Sequence, residues 1–197
     1  MSAREAKVAR RTGETDVKVT LNIDGKGRTR VETGIPFFDH MLTLLGRHAL
    51  FNLEVKAEGD VQVDGHHTVE DTGICLGQAL KQAIGEGTGI ERYGWALVPM
   101  DEALVQVAVD ISGRPGLYID LPLPASRVGE FDTELVEEFL RGLVNHGAFT
   151  CHVRLLAGRN THHCIEAVFK ALARALRQAV AVNPRVSGVP STKGNIY

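Results

Sequence analysis

Three features that often decide a protein's class are scarce in this 197-residue chain. Cysteine is the first: Cys75, Cys151 and Cys164 are the whole complement. An odd number without C-x-x-C spacing argues against a disulfide scaffold and fits a reducing cytoplasm. A surplus of positive charge is the second. Lys and Arg number 22 against 24 Asp and Glu, a net charge of −2, which argues against a general nucleic-acid binder while leaving room for a local basic cluster. Long apolar runs are the third: no stretch approaches the roughly 18 apolar residues of a membrane helix. The leading MSAREAKVARRTGETD also lacks the apolar centre of a secretory signal. The expectation is a cytoplasmic globular protein that binds neither nucleic acid nor membrane. What the chain does hold in quantity is histidine, with eight residues.

Hydrophobic periodicity divides the chain into two similar halves. Residues 17–23 alternate apolar and polar as a half-buried strand does, Asp24-Gly25-Lys26-Gly27 has the composition of a hairpin turn, and 27–33 reads as the returning strand. Pro36 opens a helix over 37–48, 52–57 is a strand, and 68–84 is a long helix. The second half repeats this order: a strand over 96–111 interrupted at Met100-Asp101-Glu102, a strand over 116–123, a helix over 133–146, a strand over 149–156 and a helix over 164–181. The expectation is an α+β fold of duplicated β-β-α-β-α halves, about 9–90 and 91–183, forming a single domain. The Gly-, Ser- and Pro-rich tail 184–197 reads from composition alone as a frayed end.

The duplication is sharpest in one motif. His66-His67-Thr68-Val69-Glu70 recurs as His162-His163-Cys164-Ile165-Glu166, both H-H-x-x-E, each after a strand and at a helix start. On a helix each histidine can share a face with the glutamate. The two imidazoles, however, diverge by about 100° around the axis. Such a pair suits two metal ions, one on each side, or a bridge between subunits. Four imidazoles and two carboxylates make a mixed N/O donor set suited to Mn, Fe or Zn. His40 in the first half and Glu138 in the second occupy matching helices, and each can add a ligand. Cys164 corresponds to Val69 and reads as a small core side chain.

These residues, together with their neighbours, resemble the imidazoleglycerol-phosphate dehydratase family. The resemblance is carried by Gly34-Ile-Pro-Phe-Phe-Asp-His-Met-Leu42, His66-His-Thr-Val-Glu-Asp-Thr-Gly73, Met100-Asp-Glu-Ala-Leu104, Ser112-Gly-Arg-Pro115, Asn160-Thr-His-His-Cys-Ile-Glu-Ala167 and Pro190-Ser-Thr-Lys-Gly194. It implies helices packed between two mostly antiparallel sheets. It also implies dehydration of D-erythro-imidazole-glycerol phosphate to imidazole-acetol phosphate in histidine biosynthesis, two Mn²⁺ per active site, and a homo-oligomeric 24-mer with active sites between subunits. The metal ligands it implies are His40, His66, His67, Glu70, Glu138, His162, His163 and Glu166. Relatives often carry His at the position of Glu138. Carried over in the same way, Arg92, Arg114, Ser191, Thr192 and Lys193 meet the substrate phosphate, which turns the frayed tail into a binding segment, and His48 meets the substrate.

The chemistry explains why such parts are needed. The proton to be removed has no carbonyl beside it, so the substrate imidazole is the available electron sink, and a metal on a ring nitrogen stabilises negative charge there. Proton transfer then requires carboxylates near the carbon chain. Glu166 and Asp101 are the candidates, and the family resemblance adds Glu14, which by itself reads as a solvated N-terminal charge; Asp101 and Glu102 are expected as partnered carboxylates within an apolar strand. Lys170, four residues after Glu166, shares its helix face. Two other classes share parts of this pattern: a dinuclear phosphohydrolase, and a non-catalytic protein whose metals tie subunits together. The first would place the basic set beside the metals, and the second leaves that set without a role.

Overall fold

The computed structural model describes residues 4–197, so the first three residues of the N-terminal segment lie outside the described residues. Each half folds as β-β-β-α-β-α. The first half comprises β1 (Glu5–Arg11), β2 (Thr15–Asn22), β3 (Thr29–Glu32), α1 (Pro36–Ala49), β4 (Asn52–Gly59) and α2 (His66–Ile84). The second comprises β5 (Tyr93–Met100), β6 (Ala103–Asp110), β7 (Gly116–Asp120), α3 (Leu135–Gly147), β10 (Thr150–Ala157) and α4 (Thr161–Ala179). A small hairpin of β8 (Arg127–Val128) and β9 (Phe131–Asp132) precedes α3. The two large sheets have the same order, β1-β2-β4-β3 and β5-β6-β10-β7.

Three expectations are corrected. First, each half begins with one strand more than the pattern suggested. In the first half that strand is β1, which sends only Ala6 and Val8 inward and is otherwise exposed and, apart from Ala9, charged. In the second half, the interruption at Asp101-Glu102 is the tip of a β5–β6 hairpin rather than a flaw in one strand. Second, Asp24–Gly27 does not close a hairpin. The inner edge of β2 is taken by β4 in antiparallel register, Val19 against Val55 and Leu21 against Leu53. The chain therefore crosses the end of β4 and lays β3 parallel on its far side. Asn52 holds that crossing, its Oδ1 accepting the N–H groups of Lys26 (2.9 Å) and Arg28 (3.2 Å). Third, Asp101 is not buried. It sits on the hairpin tip with φ 49° and its side chain 71% exposed.

Four layers result, with the helices between the sheets. α2 covers β1 and β2, α4 covers β5 and β6, and across the middle α2 packs on α3 and α1 on α4. Alternation in each strand sends one row inward, as in Val17, Val19 and Leu21 or Val105, Val107 and Val109, which are at most 4% exposed. Glycine permits the closest approaches. A Cβ at Gly77 would meet the Leu143 carbonyl of α3, and one at Gly94 would strike the Ala175 carbonyl of α4. The tail is not frayed: Gly188 accepts from the Gly89 N–H (2.8 Å), and Ile196 is buried in the core.

Candidate metal centre and phosphate cluster

The α1–α4 contact builds the centre. α1 lacks a side-chain N-cap, but Asp39 in its first turn accepts from the Thr33 N–H (2.9 Å) and hydroxyl (2.5 Å), fixing the entry. α4 is capped by Asn160, whose side chain accepts from the N–H groups of His162 (3.0 Å) and His163 (3.3 Å). Asn160 is held in turn because its own N–H donates to Glu102 Oε1 at 2.7 Å. With both helix starts fixed, His162 Nε2 lies 3.2 Å and His40 Nε2 3.6 Å from Glu166 Oε2. One donor atom from each of the three falls within 4.8 Å of the others, the single such His/Cys/Asp/Glu grouping among the described residues. Metal–ligand bonds of about 2.1 Å place neighbouring donors roughly 3 Å apart, so two imidazoles and a carboxylate at these spacings fit a divalent transition ion. Burial pushes the Glu166 carboxyl up. Lys170 Nζ at 2.6 Å, together with His162 and His40, outweighs this and holds it below the usual carboxylate range.

The second histidine of each cassette points away from this grouping, as the 100° divergence requires. His163 Nδ1 lies 2.7 Å from Glu102 Oε2, and its Nε2 lies 3.7 Å from Asp101. His67 repeats the arrangement: Nδ1 is 3.0 Å from Asp60, and Nε2 is 3.7 Å from Glu14. The hydrogen bond to Glu102 raises the His163 pKa, and the bond to Asp60 raises that of His67. The His163 bond, with help from backbone N–H groups, draws Glu102 down to about 2. Glu14 and Asp101 occupy equivalent places, the tips of the β1–β2 and β5–β6 hairpins.

His66, Glu70 and Glu138 do not converge to the same distance. The sequence supplies a reason: the counterpart of Lys170, which aligns Glu166, is Ile74. Cassette entry also differs, since Asp64 rather than an N-cap Asn accepts the His66 N–H (2.8 Å).

A basic cluster forms where the tail meets the start of β5. Arg92 has φ 69°, an uncommon conformation for a residue with a side chain. Its guanidinium grips Asp110 (2.8 Å) and donates to the Pro190 carbonyl (2.8 Å), which seats the segment Ser191–Gly194. Arg114 stands beside it and 64% exposed, 4.0 Å from Asp110. Within the tail turn, the Lys193 N–H donates to Ser191 Oγ (3.2 Å). Thr192 lies between these two. On α1, burial lowers the His48 pKa, and the charges of Lys170 and Arg174 lower it further.

The sequence pattern does not single out Asp60 or Asp110, and Glu102 stands there only as an interruption. Asp60 leaves no signal because it lies in a loop. Asp110 ends an otherwise regular alternation.

The duplicated α+β sandwich and its His/carboxylate centre define a protein of the metal-dependent enzyme class. Comparison with known proteins narrows this. A family model described as imidazoleglycerol-phosphate dehydratase matches residues 33–176. An imidazoleglycerol-phosphate dehydratase of Desulforamulus reducens is 60% identical over 194 residues, covering 98% of this chain and 99% of that protein. One of Moorella thermoacetica is 59% identical over 192 residues, covering 98% of each. The crystal structure of the Staphylococcus aureus enzyme superposes with a TM-score of 0.83 at 41% identity, covering 91% of this chain and 99% of that one. That of the Pyrococcus furiosus enzyme in complex with (S)-C348 gives 0.82 at 37% identity, covering 95% and 99%. The chain belongs to the imidazoleglycerol-phosphate dehydratase family. It is a hydro-lyase that dehydrates imidazoleglycerol phosphate in histidine biosynthesis. No helix among the described residues is long and apolar enough to cross a membrane.

Proposed function

We propose that the two cassettes build one dinuclear Mn²⁺ centre that receives the imidazole of the substrate. The observation that carries this reading is the convergence of His40, His162 and Glu166 at ligand spacing. The duplicated fold supplies a second set of matching origin, His66, Glu70 and Glu138, on the α2–α3 contact. His67 and His163 turn outward from these two sets, which favours completion of each ion's shell by a neighbouring subunit in a homo-oligomer, a 24-mer in the family it resembles. When bound, the metal supplies Lewis acidity that stabilises charge on the ring nitrogens.

The chain's own residues do the rest. Glu166, kept ionised by Lys170, accepts or returns a proton on the metal side. Glu14 and Asp101, on matching hairpin tips, reach the carbon chain for general acid–base work. Arg92 and the carbonyl of Pro190 hold the tail so that Ser191, Thr192 and Lys193, with Arg114, present donors to the phosphate. His48 lines the substrate side beside Lys170. The two halves and the tail 184–197 act as one domain, working in the cytoplasm.

The test is reactivation. Protein stripped by a chelator is expected to be inactive on imidazoleglycerol phosphate, and added Mn²⁺ is expected to restore formation of imidazole-acetol phosphate. Full turnover by protein shown by elemental analysis to hold no metal contradicts the proposal.

A further inference from the structure

Metal-binding imidazoles must offer an unprotonated nitrogen, and which nitrogen that is depends on where the other one's proton goes. In each cassette the second histidine has that question answered inside this chain. His163 Nδ1 faces Glu102 Oε2 at 2.7 Å, and His67 Nδ1 faces both oxygens of Asp60 at 3.0 and 3.2 Å. An ionised carboxylate only accepts hydrogen bonds, so in both cases Nδ1 holds its hydrogen and Nε2 is the nitrogen left to offer a lone pair to an ion. The two carboxylates come from unrelated places. Asp60 lies just after β4 and Glu102 at the β5–β6 hairpin, so the duplication did not copy one into the other. The same result reached from two different positions points to a requirement of the site.

We propose that Asp60 and Glu102 are positioning residues that fix the tautomer and ring orientation of His67 and His163, presenting Nε2 of each as a preset metal donor. This rests on the metal reading above. Among the described residues the first histidines have no such carboxylate on Nδ1, and His162 Nε2 itself meets Glu166.

The surroundings of the two carboxylates differ in a way that gives a sharp test. Glu102 Oε1 is already engaged by the backbone N–H groups of Arg159 (3.2 Å) and Asn160 (2.7 Å). In Glu102→Gln the amide oxygen stays with those donors, so its NH2 group faces His163 Nδ1. That forces the hydrogen onto Nε2 and blocks the donor. No other side-chain hydrogen bond ties Asp60 among the described residues, so Asp60→Asn can turn its oxygen to Nδ1 and keep the tautomer, whereas Asp60→Ala cannot.

Chelator-stripped wild type and the three variants are titrated with Mn²⁺, free ion being read from its electron paramagnetic resonance signal, with thermal melts of the metal-free proteins alongside. Glu102→Gln and Asp60→Ala are expected to bind Mn²⁺ roughly 10–100-fold more weakly, Asp60→Asn within a few-fold of wild type, and all melts to stay close. Wild-type affinity in both Glu102→Gln and Asp60→Ala overturns the proposal. A loss in Asp60→Asn equal to that in Asp60→Ala also overturns it. A wild type that takes up no Mn²⁺ removes the metal reading itself. If Glu102→Gln does not fold, the Asp60 pair decides alone.

Discussion

Asp71, the residue after Glu70 on α2, joins stability to the site. Its carboxylate is buried and accepts from Arg10 Nε at 2.8 Å on β1 and from the Thr15 hydroxyl at 2.5 Å on β2. The Asp71 bond raises the Arg10 pKa. Those two strands flank the turn in which Thr12 Oγ1 accepts the N–H groups of Glu14 (3.1 Å) and Thr15 (3.0 Å). Asp71 thus pins the hairpin that carries Glu14 to His67. Two hydrogen bonds to a charged group would total about 6 kcal/mol at the upper end. Three effects reduce this: Arg10 is 41% exposed and regains water, Thr15 Oγ1 keeps Thr12 Oγ1 at 3.2 Å, and the desolvation of a buried carboxylate is relieved. Asp71→Ala is therefore expected to destabilise by about 2 kcal/mol and Asp71→Asn by about 1. The assay is urea unfolding of metal-free protein at one fixed chain concentration, because assembly shifts apparent stability. Displacing Glu14 by an ångström should also lower kcat/KM by roughly a factor of 100 in Asp71→Ala. Unfolding within about 0.5 kcal/mol of wild type with unchanged kcat/KM would refute the reasoning.

Three further outcomes follow from the same geometry. Lys193→Ala should raise KM for the phosphate substrate with little change in kcat, and steady-state kinetics showing both constants unmoved would remove the tail from the phosphate site. Asp24, drawn below the usual aspartate range by its hydrogen bond to Arg4, contributes stability that is fully present above the ordinary value near 4 and is lost as pH falls through the lower folded-state value. Asp24→Asn should cost about 0.5 kcal/mol at pH 7 for so exposed a pair, with the gap to wild type closing below about pH 4 in denaturation curves run across pH. The three cysteines are buried, and burial raises the Cys75 thiol to about 11 and Cys151 to about 12. A thiol reagent near pH 8 should find none in the native protein and all three after guanidinium unfolding, and rapid native reaction would show that a helix or sheet face is open.

The cassettes were readable because they occur twice, each with the same spacing at a helix start, and α1, α2, α3, β4 and β10 follow plain periodicity. Other parts are set by contacts that no local pattern reports. β1 carries too few inward apolar residues to stand out from a charged segment. Asp24-Gly25 has the composition of a hairpin turn, yet β4 had already taken the edge of β2 and Asn52 redirects the chain. The tail composition suggests fraying, whereas Arg92, Gly89 and the buried Ile196 hold it. Within the site, His40, His162 and Glu166 converge because Lys170 and Asn160 set their frame. His66, Glu70 and Glu138 share the pattern without the Lys, and their side chains are not drawn together.

Crystals of the Mn²⁺-loaded protein, measured for anomalous scattering near the manganese edge, test the two-metal centre most directly. Two manganese peaks per chain are expected, one within bonding distance of His40, His162 and Glu166 and the other at His66, Glu70 and Glu138. A single peak per chain, or manganese bound away from both sets, would contradict the duplicated centre.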